Sequence, residues 1–369
     1  MYSYDFVQMV FQLLAGISIL FIGGELFVQG AAALAIILKI PQLIIGLTVV
    51  SLGTSAPELF VSLSSLAQGS NALAVSNVIG SNIFNVMVVL GSSAIVLPLM
   101  VESRLVRRDV PILLFVSTAV WRISTLGYIS WHFGIALLVF LFIYIIAEII
   151  SIKNQKGLNG AEQEELGIQV KGNSMGWINS TLRLGIGCIF LTFGSNLLVN
   201  GASAIAISLG VSEAIIGLTI VSVGTSLPEL TTSLVAALRG KTDLAIGNVI
   251  GSCLLNQLLV LSLCTFFAKD GVLFVDQILI NKDLPVMVIA ILTCMPIFWT
   301  KGKISRLEGS ALLGLYFLYI ADQIIPLTLP SAHEYYRLTL ISLVLPISIV
   351  LIIFKSVSYW FFLNQKPKL

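Results

Sequence analysis

The chain has 369 residues, of which 57% are hydrophobic and 10% are charged, and its 20 basic and 18 acidic side chains nearly cancel. With a mean hydropathy of +1.02, this composition excludes a water-soluble globular protein. Apolar runs of about twenty residues recur from end to end, each long enough to cross a hydrocarbon core of about 30 Å. The sequence therefore predicts an all-α polytopic membrane protein.

Charged residues, glycines and prolines divide the chain into eleven predicted transmembrane spans, near 7–38, 42–67, 71–98, 109–127, 131–151, 179–208, 211–238, 242–267, 284–300, 307–326 and 336–362. The polar stretch 152–178 is predicted to be a flexible cytoplasmic linker. The last span, within 336–364, is predicted to be an additional transmembrane helix. The four cysteines form no CxxC pair and lie in apolar segments, so they indicate neither disulfide bonds nor a metal site.

The distribution of basic residues predicts the orientation of the chain in a cell (inner) membrane. Only four of the 20 Lys and Arg residues fall on the side of the N-terminus, namely Arg122, Lys269, Lys282 and Arg337. Because basic loops are retained in the cytoplasm, we expect the N-terminus outside and the C-terminus in the cytoplasm.

An internal repeat is the dominant feature of the sequence. Residues 46–85 and 217–256 align at a constant shift of 171 without a gap and are identical at 22 of 40 positions, which indicates a duplication. Five predicted spans separate equivalent positions, so the two copies cross the membrane in opposite senses. We therefore expect two inverted five-helix repeats, residues 1–151 and 179–327, with a binding site near the midplane where they meet.

Each repeat places a carboxylate and several hydroxyls on one helical stripe, because steps of three and four residues stay on one face. The first copy has Ser51, Ser55, Glu58 and Ser62, and the second has Ser222, Ser226, Glu229 and Ser233. The following span adds Asn77, Ser81 and Asn85 in the first copy, and Asn248, Ser252 and Asn256 in the second. A glutamate in the hydrocarbon costs roughly 2.5–3.5 kcal/mol on insertion scales, so two at equivalent places indicate a functional site.

Pro57 and Pro228 bring the backbone into this site. A proline removes one helical N–H and pushes away the carbonyl four residues earlier, which belongs to Gly53 or Gly224. Neighbouring carbonyls, including those of Thr54 and Thr225, are candidates to turn away from helical hydrogen bonding toward a ligand. Carboxylate, hydroxyl, amide and carbonyl oxygens suit hard cations, and two glutamates balance one Ca²⁺ or two Na⁺. His132 and His333 lie near span ends, which disfavours a transition metal.

The paired motifs GTSAPEL with NVIGSNIFN, and GTSLPEL with NVIGSCLLN, closely resemble the two alpha-repeats of the cation/calcium exchanger superfamily, in particular prokaryotic sodium/calcium exchangers. The resemblance implies a ten-helix core over residues 1–327, in which the long spans 7–38 and 179–208 slide across the site as a gate. It implies Glu58 and Glu229 as calcium ligands with the carbonyls of Thr54 and Thr225. It also implies two flanking sodium sites, one formed by Ser51, Ser55 and Ser81 with Glu58 and the other by Ser222, Ser226 and Ser252 with Glu229. The resemblance places two polar residues, Asn85 and Asn256, in the middle of the site.

The function that this resemblance implies is secondary active exchange of Na⁺ for Ca²⁺, with no cofactor and with membrane lipid and inorganic cations, not nucleic acid, as partners. Prokaryotic members often carry aspartate at one of the two middle positions, where this chain has Asn85 and Asn256. Retention of GTSxPE in both copies favours sodium, while an H⁺/Ca²⁺ exchanger of the same fold remains the alternative. An intramembrane hydrolase lacks a second catalytic partner, and an inverted repeat suits a channel less well. No oligomeric state is predicted.

Other charged residues receive simpler interpretations. Glu25 aligns with Asn196 in the second copy, so we expect it to be a satisfied polar contact in the bundle. Glu148 and Asp322 fall near the cytoplasmic and external ends of their spans, where we expect them to be solvated or to snorkel to the membrane surface. The basic cluster Arg104, Arg107 and Arg108 is explained by topology alone.

Overall fold

The structure, a computed structural model, describes residues 6–38, 40–155, 174–208, 222–299, 302–328, 334–336 and 338. The greater part of the predicted linker 152–178, and all of the additional span 336–364 except positions 336 and 338, lie outside these residues. Ten helices follow the first ten predicted spans within the described part of the chain: α1 (Phe6–Leu38), α2 (Gln42–Ala67), α3 (Asn71–Val96), α4 (Val110–Ser124), α5 (Trp131–Gln155), α6 (Ser174–Ser208), α7 (Ser222–Thr225 and Leu227–Leu238), α8 (Thr242–Phe267), α9 (Leu284–Trp299) and α10 (Arg306–Thr328).

Seven of these helices are long and apolar enough to cross a membrane, namely α1, α2, α3, α5, α6, α8 and α10, and the other three are shorter in the described residues. The centre of the bundle is formed by α3 and α8, whose most apolar windows are 78% and 83% buried inside the protein. The corresponding values for α1 and α6 are 28% and 22%. The two central helices therefore carry the protein core, whereas α1 and α6 lie at its edge with large apolar side chains exposed for lipid.

The two prolines of the repeated motif each follow a break in their helix. In α2 the helix stops at Thr54 and resumes at Ala56, and the backbone of Ser55 between them has φ −82° and ψ 4°. In α7 the corresponding residue is Ser226, with φ −92° and ψ 8°. Each proline then falls in the first turn of the next segment, where its missing N–H has no helical partner to lose. The repeated prolines thus divide two transmembrane helices at equivalent points.

Several turns are wound as π-helix, which the sequence did not predict. They are Gly46–Val50 in α2, Asn85–Val89 in α3, Asn256–Val260 in α8, and Leu105–Asp109 and Leu279–Asp283 ahead of α4 and α9. Single π turns occur frequently at functional sites, because the extra residue redirects the side chains around it. The turns in α3 and α8 begin at the two asparagines predicted to lie in the middle of the site.

The long helices α1 and α6 pack along each other through glycines spaced by seven residues. These glycines are Gly16, Gly23 and Gly30 in α1 and Gly187, Gly194 and Gly201 in α6. A Cβ atom at Gly16 would lie 2.9 Å from the carbonyl oxygen of Gly194, and one at Gly194 would lie 2.8 Å from the backbone nitrogen of Leu20. Small residues at a helix interface permit such close approach in membranes, so the pair is held by backbone contact along its length.

Two short antiparallel ribbons each combine one strand from either repeat. The strand β1 (Leu99–Met100) pairs with β4 (Lys303–Ile304), and β2 (Tyr128–Ser130) pairs with β3 (Val272–Phe274). The first ribbon joins the α3–α4 and α9–α10 connections, and the second joins the α4–α5 and α8–α9 connections. Strands of two or three residues are too short to show the alternation of apolar and polar residues by which a strand is recognised, which explains why they were not predicted.

Glu148 and Asp322 are buried, so the prediction that both are solvated was wrong. Glu148 is 1% exposed and contacts the guanidinium groups of both Arg104 and Arg108. Asp322 is 8% exposed and accepts from Lys282, whose Nζ lies 2.6 Å from Oδ2. Burial of these carboxylates is tolerated because a basic side chain from a neighbouring helix pairs with each. The two arginines therefore have a packing role beyond orientation.

Candidate functional site

The side chains predicted from the repeated motifs converge between α2, α3, α7 and α8. Glu58 and Glu229 are both 0% exposed, although each is a carboxylate in the middle of an apolar bundle. The other predicted residues described there are also buried: Ser51, Thr54, Ser55, Ser81, Asn85, Thr225, Ser226, Ser252 and Asn256. The side chain of Ser222 lies outside the described part of the structure.

Each glutamate accepts a hydrogen bond from the other repeat. The Ser226 hydroxyl donates to Glu58 Oε1 at 3.0 Å, and the Ser55 hydroxyl donates to Glu229 Oε1 at 3.0 Å. The hydrogen bonds thus cross between the two stripes, whereas the resemblance groups Ser55 with Glu58 and Ser226 with Glu229 as sodium ligands, which stays a prediction. The two stripes face each other across the repeat interface, so the serine three residues before one glutamate meets the carboxylate of the opposite stripe.

The remaining serines extend this crossed arrangement. Ser226 Oγ lies 3.0 Å from Ser81 Oγ, which places Ser81 on the Glu58 side of the site. In the other half, Thr54 Oγ1 lies 3.4 Å from Ser252 Oγ. Ser51 meets neither glutamate, because its hydroxyl donates to the Gly46 carbonyl at 2.5 Å and lies 3.1 Å from the Asn248 carbonyl.

Two asparagines join the repeats on either side of the carboxylates. Asn77 Nδ2 donates to Ser62 Oγ at 3.0 Å and to the Glu58 carbonyl at 3.2 Å, and Asn77 Oδ1 accepts from the Thr225 hydroxyl at 3.3 Å. Its donors and acceptor thus connect both repeats. The spacing of polar residues predicts that Asn77 lies on the polar stripe but gives it no role, because the residues opposite a stripe cannot be read from its own sequence.

The equivalent residue in the second repeat makes the same contacts. Asn248 Nδ2 donates to Ser233 Oγ at 2.9 Å and to the Glu229 carbonyl at 3.4 Å, and Asn248 Oδ1 accepts from the Thr54 hydroxyl at 3.1 Å. Both threonine hydroxyls are therefore engaged by amides. A contribution of either threonine to an ion would come from its carbonyl, as the family resemblance implies.

Several buried oxygens in the site have no hydrogen-bond donor in the described residues. They are the second carboxylate oxygens of Glu58 and Glu229 and the amide oxygens of Asn85 and Asn256, and Asn85 Nδ2 is likewise without a partner. A buried polar atom without a partner costs free energy, and a buried carboxylate costs the most. This set of convergent oxygens fits a hard cation that would complete their coordination.

A transition-metal site does not fit the described residues. They contain no group of three or more His, Cys, Asp and Glu side chains that could hold a metal ion. The four cysteines are free, and three of them are fully buried in the apolar core. The oxygen donors around the glutamates instead match the preference of Na⁺ and Ca²⁺ for carboxylate, hydroxyl and carbonyl ligands.

Glu25 lies outside this site and is a satisfied polar contact, as expected. Its Oε1 lies 2.6 Å from Arg239 Nη2 and its Oε2 accepts from Arg239 Nε at 3.1 Å, which forms a two-point ion pair between α1 and the end of α7. The Gln29 amide also donates to it at 2.5 Å. The carboxylate therefore has basic and amide partners that the two central glutamates lack.

Comparison with known proteins agrees with this geometry. The sequence matches the family described as "Sodium/calcium exchanger protein" over residues 9–150 and 179–325. The putative antiporter CaxA of Alkalimonas amylolytica is 36% identical over 309 residues, which cover 83% of this chain and 95% of that protein. The sodium/calcium exchanger MaX1 of Methanosarcina acetivorans is 29% identical over 346 residues, covering 84% and 96%. The structure of the sodium-calcium exchanger NCX_Mj soaked with Na⁺ and Sr²⁺ matches with a TM-score of 0.73 and 31% identity, covering 86% of this chain and 99% of that one.

Proposed function

Because the chain belongs to the sodium/calcium exchanger protein family and is thus a transporter, not an enzyme, we propose that it exchanges Na⁺ for Ca²⁺ at Glu58 and Glu229. It would work as a secondary active antiporter by alternating access. The inverted sense of the two repeats supports this mechanism, since equivalent helices then face opposite sides of the membrane. The α1–α6 pair, packed through glycines at the edge of the core, is suited to move across the site.

One observation carries the proposal: two fully buried carboxylates each have one oxygen held by the opposite repeat and the other without a donor in the described residues. The surrounding serines, threonines and asparagines are neutral, so the two glutamates dominate the charge of the site. One Ca²⁺ or two Na⁺ would neutralise it, and a neutralised site is far less costly to enclose in a medium of low dielectric constant. The two ions would therefore compete for the same carboxylates.

The crossed hydrogen bonds determine how we divide the sodium ligands. We assign Ser226 and Ser81 to the half that contains Glu58, and Ser55 and Ser252 to the half that contains Glu229. Ser51 and Ser222 would contribute through their carbonyls, because the Ser51 hydroxyl is engaged by the backbone carbonyl of Gly46. Thr54 and Thr225 would complete the central calcium site with their carbonyls. Asn85 and Asn256 would offer amide oxygens in the middle.

Proton coupling is the second candidate. Neither glutamate has a basic side-chain partner in the described residues, whereas Glu25 has one. A proton would neutralise such a carboxylate as a cation does. Exchange of H⁺ for Ca²⁺ is thus compatible with the same residues, and the counter-ion has to be identified by transport.

We further propose the membrane arrangement predicted from the sequence: repeats at 1–151 and 179–327, a cytoplasmic linker at 152–178, and an additional helix at 336–364. The N-terminus would lie outside and the C-terminus in the cytoplasm of the cell membrane. Cysteine-accessibility labelling at exposed positions of intact cells tests this arrangement. Labelling of a residue near Lys153 from outside would contradict it.

The proposed function is tested by ⁴⁵Ca²⁺ uptake into proteoliposomes under an imposed gradient of Na⁺, of K⁺ or of H⁺. We expect uptake with the Na⁺ gradient, and its loss in Glu58→Gln and Glu229→Gln. The matched control is Glu334→Gln, the same change at an exposed position. Uptake driven by a pH gradient and indifferent to Na⁺ would establish the proton exchanger, and Na⁺-driven uptake in either glutamine variant would refute the site.

A further inference from the structure

The carbonyls freed by the two prolines are both capped by side chains of α6. Pro57 leaves the carbonyl of Gly53 without a helical donor, and Pro228 does the same to Gly224. The thiol of Cys188 donates to the Gly53 carbonyl, with Sγ 3.3 Å from the oxygen. The hydroxyl of Ser195 donates to the Gly224 carbonyl. Both freed carbonyls are therefore hydrogen-bonded to side chains of α6.

Cys188 and Ser195 are seven residues apart, so they lie on one face of α6 two turns from each other. A single helix therefore contacts the break in α2 and the break in α7, one in each repeat. The two bonds differ in strength, because a thiol is a weak donor and a hydroxyl is a strong one. The break in the second repeat is accordingly held more firmly than the break in the first.

The partner helix α1 has no equivalent of these donors. The repeat shift of 171 places Ile17 opposite Cys188 in the alignment and Gly24 opposite Ser195. An isoleucine side chain cannot donate a hydrogen bond, and a glycine has no side chain. A Cβ atom at Gly24 would lie 2.9 Å from Cγ2 of Thr231, so this position is closely packed as glycine. The near two-fold symmetry of the ion site is thus broken at these two positions of α6.

Each capped carbonyl lies next to residues of the ion site. Gly224 directly precedes Thr225, which contacts Asn77, and Ser226, which donates to Glu58. In the first repeat Gly53 likewise precedes the threonine and serine that contact Asn248 and Glu229. A shift of either carbonyl would move these side chains, since the breaks lie outside regular helix.

A cavity adjoins both breaks on the side of α6. It has a volume of about 630 Å³, lies between α2, α6 and α7, and is lined by Pro57, Cys188, Ser195 and Thr225 among others. The first break also packs against α1, since a Cβ atom at Gly53 would lie 2.9 Å from Cζ of Phe27, but the hydrogen bonds to the two carbonyl oxygens come from α6. The position of α6 is therefore communicated to both halves of the site through two hydrogen bonds.

We propose that Cys188 and Ser195 are positioning residues through which α6, and not α1, sets the conformation of both proline breaks and hence the affinity of the site for its ions. This inference rests on the proposed function, because it assigns a regulation of the same site. Neither residue touches an ion. Movement of α6 along the bundle would release both carbonyls together, whereas movement of α1 would leave them capped.

The first test measures Ca²⁺ binding to the purified full-length protein by calorimetry, which does not depend on the counter-ion. Loss of one hydrogen bond should raise the Kd about five- to tenfold in Ser195→Ala and about two- to threefold in Cys188→Ala. Cys188→Ser, which keeps a donor, should retain the affinity of the parent. The control is Thr192→Val, because Thr192 lines the same cavity but donates to the Cys188 carbonyl within α6. Equal shifts in Ser195→Ala and Thr192→Val, or no shift in either capping variant, would overturn the proposal.

The second test separates this inference from the proposed function. Cys188 is the one cysteine of the four that is only partly buried, so methyl methanethiosulfonate should modify it selectively. Without any transported cation, Ser195→Ala should accelerate this modification several-fold by loosening α6, and Thr192→Val should not. An unchanged rate in Ser195→Ala would refute the positioning role whether or not the protein binds Ca²⁺. If the parent protein binds no Ca²⁺ but Ser195→Ala still accelerates the modification of Cys188, the proposed ion is refuted and the positioning role is retained.

Discussion

Replacement of Ser226 by alanine tests the crossed arrangement of the ion site most directly. The Ser226 hydroxyl is fully buried and donates to Glu58 Oε1 at 3.0 Å, although Glu229 is the glutamate on its own helix. A hydrogen bond to a charged group contributes about 1.5–3 kcal/mol. Its loss should therefore raise the Kd for Ca²⁺ by about 10- to 150-fold. Ser55→Ala should have a similar effect, because Ser55 makes the same bond to the opposite carboxylate.

Double-mutant cycles can show which glutamate each serine supports. Glu58→Asp keeps the charge but shortens the side chain by one methylene, which withdraws the carboxylate from Ser226. Ser226→Ala should then reduce the free energy of Ca²⁺ binding only slightly in the Glu58→Asp background, and as much as in the parent protein in the Glu229→Asp background. We expect the changes in the free energy of Ca²⁺ binding to be coupled by about 1 kcal/mol or more between positions 226 and 58. Between positions 226 and 229 we expect them to be additive within about 0.5 kcal/mol. Calorimetry of Ca²⁺ binding measures the parent, the three single variants and the two double variants, and coupling to position 229 instead would refute the crossed pairing.

Two further predictions concern packing. Gly194→Ala should strongly lower the initial rate of ⁴⁵Ca²⁺ uptake, because the new Cβ would lie 2.8 Å from the backbone nitrogen of Leu20. Gly185→Ala is the control and should leave this rate unchanged, because no atom lies within 4 Å of a Cβ at that position. Equal rates in the two variants would contradict the close packing of α1 and α6. Glu148→Gln should destabilise the protein by roughly 1–3 kcal/mol, because it removes the buried carboxylate that pairs with the partly buried guanidinium groups of Arg104 and Arg108 and leaves Asp109 as their acidic partner in the described residues. Thermal unfolding in detergent measures this loss, and a midpoint as high as that of Glu334→Gln would contradict it.

The helices and the polar positions could be predicted from the sequence to a large extent. The starts predicted for spans 42–67, 71–98 and 242–267 coincide with those of α2, α3 and α8, because apolar runs and polar breaks carry this information locally. The repeated glutamates were recognised because an acid in hydrocarbon is rare. The assignment of ions to these residues stays a prediction.

The contacts across the repeat interface could not be predicted. Ser55 and Glu58 share a stripe, and a stripe fixes which side chains point the same way without showing what lies opposite. The bond from Ser55 to Glu229 depends on how two distant helices pack, as do the caps at Gly53 and Gly224. The burial of Glu148 depends likewise on arginines about forty positions away in the chain, and local hydropathy is insensitive to such pairing.

The two β ribbons have a mechanical consequence for transport. Each ribbon takes one strand from either repeat, and flanking bonds lengthen it: Val101 N donates to the Gly302 carbonyl at 2.8 Å, and Val275 N to the Gly127 carbonyl at 3.0 Å. The two ribbons connect α3–α5 to α8–α10 at two separate places. Any rocking of one repeat against the other would therefore have to break the backbone hydrogen bonds of both ribbons. Neither α1 nor α6 contributes a strand. Under the alternating access proposed above, a movement of the α1–α6 pair would therefore leave both ribbons intact.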